Sequence, residues 1–273
     1  MRHQSIFLFF LLLTSCRFFS SPTDSPLFEK LSPEQTHVNF ANIVTDDKDF
    51  NIFNYRNFYN GGGVAIGDVN NDSLPDLFLI ANMGDNKLFL NKGNFEFEDV
   101  TAKANVAGKR AWSTGATFAD VNGDGRLDLY VCNAGIRPGD DRSNELFINT
   151  GNDASGVPVF TEKAAEYGLA DRGFSTHAAF FDYDRDGDLD MYLLNNSFTP
   201  VGRLGYANIR AERDSLGGHK LFKNMMAEAL RTEKAGVAGM AGRNKNTEPP
   251  PATPAPSTPA NPAQRIPAFI DVS

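Results

Sequence analysis

Three nine-residue stretches repeat one arrangement of oxygen-bearing side chains: Asp68-Val-Asn-Asn-Asp-Ser-Leu-Pro-Asp76, Asp120-Val-Asn-Gly-Asp-Gly-Arg-Leu-Asp128 and Asp182-Tyr-Asp-Arg-Asp-Gly-Asp-Leu-Asp190. Positions 1, 3, 5 and 9 are Asp68, Asn70, Asp72 and Asp76, then Asp120, Asn122, Asp124 and Asp128, then Asp182, Asp184, Asp186 and Asp190. Alternate side chains of a curled loop point inward, so a short segment can offer several oxygens to one hard cation; calcium takes about six to eight. Position 7 would add its backbone carbonyl, from Leu74, Arg126 and Asp188. Position 6 must turn sharply, which suits Gly125 and Gly187; Ser73 replaces glycine in the first loop. The spacing predicts up to three calcium ions, with the third loop, carrying five carboxylates, binding tightest. Magnesium prefers to keep its waters, and a transition metal would want Cys or His nearby.

The remaining reactive side chains point to structure. His177 stands alone in an apolar stretch, five residues before Asp182, where the other two repeats have Gly63 and Gly115. Trp112 and Tyr183 read as blade-packing residues, and Cys132, inside Leu-Tyr-Val-Cys, as a small core residue. No Gly-x-Ser-x-Gly, His-Glu-x-x-His or phosphate loop is present. The expectation is a protein without catalytic residues.

The elements that hold the loops repeat with them, at intervals of about 50 to 60 residues. A strand leads in at Val64–Gly67, Ala116–Ala119 and Ala178–Phe181, and an apolar strand leaves at Leu77–Ile80, Leu129–Cys132 and Met191–Leu194. A third strand follows at Lys87–Asn91, Glu145–Asn149 and Lys220–Asn224. A fourth begins with phenylalanine at Phe97, Phe160 and Phe269. Four short strands per unit predict an all-β propeller of four-stranded blades, with units at about 61–110, 111–173 and 174–273. The exit strands should be buried on both faces. An EF-hand is excluded, because the position-12 glutamate is replaced by Leu79, Val131 and Leu193 and the flanks lack a helical period.

Outside the repeats the composition changes. Ile6–Leu13 is an apolar run too short to span a bilayer, preceded by Arg2 and His3 and followed by Leu13-Thr-Ser-Cys16. It reads as a lipoprotein signal peptide over 1–15 with Cys16 lipidated, and residues 16–26 as a tether. The expected location is the outer membrane or cell surface of a Gram-negative bacterium, with membrane contact through that lipid only. Strands and turns are expected from Leu27 to Gly63, and a weak helix over Met225–Met240. Residues 225–267 read as a Pro/Ala-rich insertion, after which 268–273 resume the last blade. The formal charge of −8 argues against a nucleic-acid partner.

The loops and their flanks resemble FG-GAP/VCBS repeats, the blades of integrin α-type propellers. The phrases Phe58-Tyr-Asn-Gly-Gly-Gly-Val-Ala-Ile-Gly-Asp68, Trp112-Ser-Thr-Gly115 and Thr176-His-Ala-Ala-Phe-Phe-Asp-Tyr-Asp184 are similar to bacterial exported proteins that join such repeats to an ASPIC/UnbV module, the cartilage-acidic-protein-like family. The resemblance covers roughly residues 27–224 and the last five. It implies a seven-bladed, calcium-bearing propeller and a longer chain; three loops would supply about three blades. The leading expectation is a non-catalytic adhesion or ligand-binding scaffold for a protein or glycan. The alternatives are the propeller part of a polysaccharide-active enzyme, or a truncated product without independent function.

Overall fold

The computed structural model describes residues 26–109, 112–136, 140–197, 214–232 and 269–273. Within them the strands form three four-stranded antiparallel sheets. The first runs β1 (Val64–Gly67), β2 (Asp76–Leu79), β3 (Lys87–Asn91), β4 (Phe97–Asp99). The second runs β5 (Ser113–Ala119), β6 (Asp128–Asn133), β7 (Glu145–Asn152), β8 (Pro158–Glu162). The third runs β9 (Ser175–Phe181), β10 (Asp190–Asn195), β11 (Lys220–Asn224), β12 (Phe269–Asp271). Each sheet is a meander in sequence order, and the whole is an all-β, incomplete propeller-like fold. The repeated strands fall where the sequence pattern puts them, but β5 and β9 start three residues earlier than the expected lead-in strands. β12 pairs with β11 across residues 225–268, setting Phe269 against Asn224 and Asp271 against Phe222.

The period of two along β6 explains how the sheets stack. Leu129 and Val131 join one cluster with Phe78, Leu88 and Leu90 of the first sheet, while Tyr130 and Cys132 join another with Met191, Leu193 and Phe222 of the third. All six β6 residues are therefore buried, whereas β2 and β10 each keep half-buried positions. Burial on both faces thus holds for the exit strand that has a sheet on each side. The end sheets have one such neighbour among the described residues.

β5 lies between β1 and β9 as the innermost strands meet side by side. Thr114 and Thr117 donate their hydroxyls to the carbonyls of Ser175 and Ala178, at 2.8 and 2.7 Å. The approach is close enough that a Cβ on Gly115 would lie 2.3 Å from the Thr176 carbonyl oxygen. Glycine is required there by space.

The segment before β1 departs from expectation. Among the described residues 26–63 no strand forms, only α1 (Pro33–Thr36) and a series of turns. Its Asp and Asn side chains take up the backbone groups that a ladder would need. Asp47 Oδ1 accepts the amides of Asp49 and Phe50, and Asn54 Oδ1 accepts that of Asn51. These turns deliver Phe50, Tyr55 and Phe58 onto Trp112, with ring centroids 4.8, 5.5 and 5.2 Å away. Since Trp112 directly precedes β5, this aromatic cap covers the end of the inner strands away from the acidic loops. In the first sheet β4 is followed by α2 (Thr101–Ala104), and residues 226–232 after β11 make a further helix, α3. No helix among the described residues is long and apolar enough to cross a membrane.

Candidate metal loops

Each acidic loop joins an innermost strand to its exit strand and folds around its own backbone amides. The first aspartate accepts two of them. Asp68 takes the amides of Asp72 and Ser73 at 3.0 and 2.7 Å, Asp120 those of Asp124 and Gly125 at 3.0 and 2.8 Å, and Asp182 those of Asp186 and Gly187 at 3.1 and 3.2 Å. Position 5 accepts from position 7, so Asp72, Asp124 and Asp186 tie down Leu74, Arg126 and Asp188. The turn at position 6 has φ +83 at Gly125 and +99 at Gly187; Ser73 holds φ 71, a left-handed conformation that costs a residue with a Cβ.

The ninth residue opens the exit strand and is sunk in the protein. Asp76, Asp128 and Asp190 are each at most 1% exposed. One oxygen of each accepts the amide at position 2 (Val69, Val121, Tyr183), the other the amide of the asparagine that is the fifth residue of the third strand (Asn91, Asn149, Asn224). Burial nevertheless pushes the carboxyls up, Asp76 to about 6 and Asp128 to about 7, with the loop's other carboxylates adding to the effect; Asp190 is raised for the same reasons.

The loops differ in how they compensate their remaining charge. Asn70 and Asn122 donate their side-chain amides to Asp72 and Asp124, at 2.9 and 3.0 Å. Arg126 adds its guanidinium to Asp124 and ties itself to the Asn149 carbonyl. In the third loop position 3 is Asp184, which has no amide to give. Asp186 Oδ2 and Asp188 Oδ1 are buried without a hydrogen-bond partner. Burial is the main cause that raises Asp188 to about 6, with Asp186 beside it. Asp182, Asp184 and Asp190 each bring an oxygen within 4.8 Å of the others, the one such acidic convergence among the described residues. The predicted residues thus lie on three loops of one course, and the third loop brings three carboxylates together. Cys16 lies outside the described residues.

Two features were not recognised in the sequence. These third-strand asparagines also staple neighbouring sheets: Asn149 donates to the Val69 carbonyl at 2.8 Å and Asn224 to the Val121 carbonyl at 3.3 Å, each in the preceding loop. The signal was present, since Asn91, Asn149 and Asn224 occupy one repeat position. The second is Lys223, whose Nζ lies 2.7 Å from Asp184 Oδ2. Tyr183, expected to pack, is 40% exposed, whereas its counterparts Val69 and Val121 are buried in the two clusters between the sheets. Trp112 and Cys132 are buried as expected. A cleft of about 670 Å³ lies beside the aromatic cap, lined by Phe50, Asn82, Asp85, Lys109, Trp112 and Asp140 among others.

Comparison with known proteins follows the same pattern. Residues 68–131, from the first loop to the second exit strand, match the family model described as FG-GAP-like repeat. The chain is similar to cartilage acidic protein 1 of Mus musculus, 37% identical over 188 residues, covering 66% of this chain and 26% of that protein. It is also similar to the Xenopus tropicalis protein of the same name, 28% identical over 143 residues, 52% of this chain and 21% of that one. For the Homo sapiens protein the figures are 37% over 76 residues, 28% and 12%. The chain thus spans about a quarter or less of the length of these relatives. It carries an FG-GAP-like repeat and is homologous, over these stretches, to cartilage acidic protein 1.

Proposed function

We propose that the protein is a calcium-stabilised, non-catalytic scaffold of FG-GAP-like blades that binds a protein or glycan ligand. In this reading it is exported and held at the outer membrane or cell surface by lipid on Cys16, with residues 16–26 as tether and 225–267 as an insertion within the last blade. The observation that carries the calcium role is in the third loop: three converging carboxylates with two buried carboxylate oxygens lacking a hydrogen-bond partner beside them. An orphaned buried charge of this kind costs several kcal/mol and calls for a cation. The donor set is all oxygen, the preference of calcium. Asp182, Asp184, Asp186 and Asp190 would hold the ion there, as would their counterparts in the first two loops, where the asparagine amides must turn their oxygens inward.

Bound calcium supplies positive charge that offsets carboxylate repulsion and fixes the strand–loop–strand hairpin. At a free concentration a hundredfold above Kd, one ion adds about 2.7 kcal/mol to stability. Calorimetric melting with calcium and with chelator tests this. The expected result is a rise in Tm of several degrees with calcium; an unchanged Tm in a folded sample would remove the calcium role. The cleft beside Trp112 and Phe50 is the place offered to a ligand, an apolar wall with Asp85, Asp140 and Lys109 at its lining. Polysaccharide turnover by the purified protein would replace this scaffold reading with an enzymatic one.

A further inference from the structure

The third strand of each sheet repeats one phrase, and its fourth residue is Leu90 in β3, Ile148 in β7 and Lys223 in β11. The first two are buried core residues, 0% and 6% exposed. Lys223 instead extends to the third loop, its side chain 17% exposed. Its ammonium lies 2.7 Å from Asp184 Oδ2, 3.9 Å from Asp186 Oδ2 and 2.7 Å from Glu228 Oε1 on α3. Asp186 Oδ2 is one of the two buried oxygens without a hydrogen-bond partner, and its side chain is 6% exposed. A second thread joins loop to helix: the Ala227 amide donates to Asp188 Oδ2 at 2.7 Å. The loop with the most carboxylates is therefore the one that has acquired a lysine, and that lysine is shared with the start of the segment that follows β11.

We infer that Lys223 is the affinity-determining residue of the third loop, an internal cation that a divalent ion must displace from Asp184, so that loading the loop leaves Lys223 to Glu228 and changes the protection of α3. The inference rests on the calcium reading of this loop. An ammonium and a calcium ion compete for the same oxygen, because a carboxylate charge in a confined loop is neutralised by one neighbour at the expense of the other. Occupancy of the loop and the packing of residues 226–232 are then two sides of one equilibrium, each biasing the other by the same factor.

Tyr183, at position 2 of this loop, gives a local readout by difference: the other loops have Val69 and Val121 there, and the part of the signal lost in Tyr183→Phe separates the third loop from the second, where Tyr167 hydrogen-bonds with Asn122. Terbium bound at the third loop should luminesce on tyrosine excitation, lose that signal in Tyr183→Phe, and be displaced by calcium. Calcium affinity from this displacement should be about tenfold tighter in Lys223→Met, which restores an apolar side chain at the repeat position. It should be weaker by a few fold in Glu228→Gln, which returns the whole ammonium to Asp184. Hydrogen exchange of residues 226–232 should respond to calcium in the unsubstituted protein and not in Lys223→Met. If both variants bind with unchanged affinity while terbium still binds, the lysine has no such role and the calcium reading stands. If no Tyr183-dependent signal appears in a folded sample, both fall.

Discussion

The second and third acidic loops have the same backbone course and opposite ways of handling charge. In the second, Asn122 and Arg126 lie within the nonapeptide and bond to Asp124, so the loop is largely satisfied by its own residues. In the third, Asp184 and Asp188 stand at those two positions, two buried oxygens go unbonded, and the compensating charge comes from Lys223 on another strand. The second loop balances its charge from within, and the third leaves part of its own unbalanced. Motif identity thus does not imply equal readiness: residues at positions 3 and 7, which a pattern leaves loose, decide it.

The largest expected effect of a single substitution falls on what the loops share. Asp128→Ala would strand the buried amides of Val121 and Asn149 and should lower unfolding free energy by roughly 4 kcal/mol without calcium, and by more with it because a proposed ligand is also lost, as read by denaturant titration. A much smaller loss without calcium would mean the second loop is not self-supporting.

Next comes pH. Asp76 and Asp128, raised by burial to about 6 and about 7, and Asp188, raised to about 6, hold their protons more tightly when folded than when unfolded. The folded chain binds more protons between about pH 4 and 7, so the calcium-free protein should gain roughly 5 kcal/mol as pH falls from 8 to 5. The gain is complete below the unfolded carboxylate range and disappears as pH rises through the folded values. Saturating calcium should flatten or reverse this slope, because the ion requires ionised ligands; chemical denaturation at several pH values reads both.

Asp186→Asn and Asp124→Asn then set the two loops directly against each other. Without calcium the first should stabilise by about 1 kcal/mol, relieving repulsion from Asp188, and the second should destabilise by about the same, losing its Arg126 pair. Equal signs would break the contrast. The smallest effect tests the first loop: Ser73→Gly should add about 0.5–1 kcal/mol by releasing strain at φ 71.

The repeated strands were legible because alternation and phrase repetition survive within ten residues of each loop. The strands expected between Leu27 and Gly63 do not form, since Asp47, Asn51 and Asn54 satisfy local backbone groups that no pattern of apolar residues reveals. Tyr183 is exposed for a related reason: burial at position 2 depends on the next sheet along, as for Val69 and Val121, which lies outside its own repeat.

By itself, the sequence determined the spacing of oxygens in three loops, the strands flanking them and the exclusion of an EF-hand, because those properties are local. Which exit strand is buried on both faces, which loop borrows a lysine and where the N-terminal aromatics cap the inner strands were decided only by tertiary structure. Each depends on residues many tens of positions apart, brought together by the stacking of one sheet on the next.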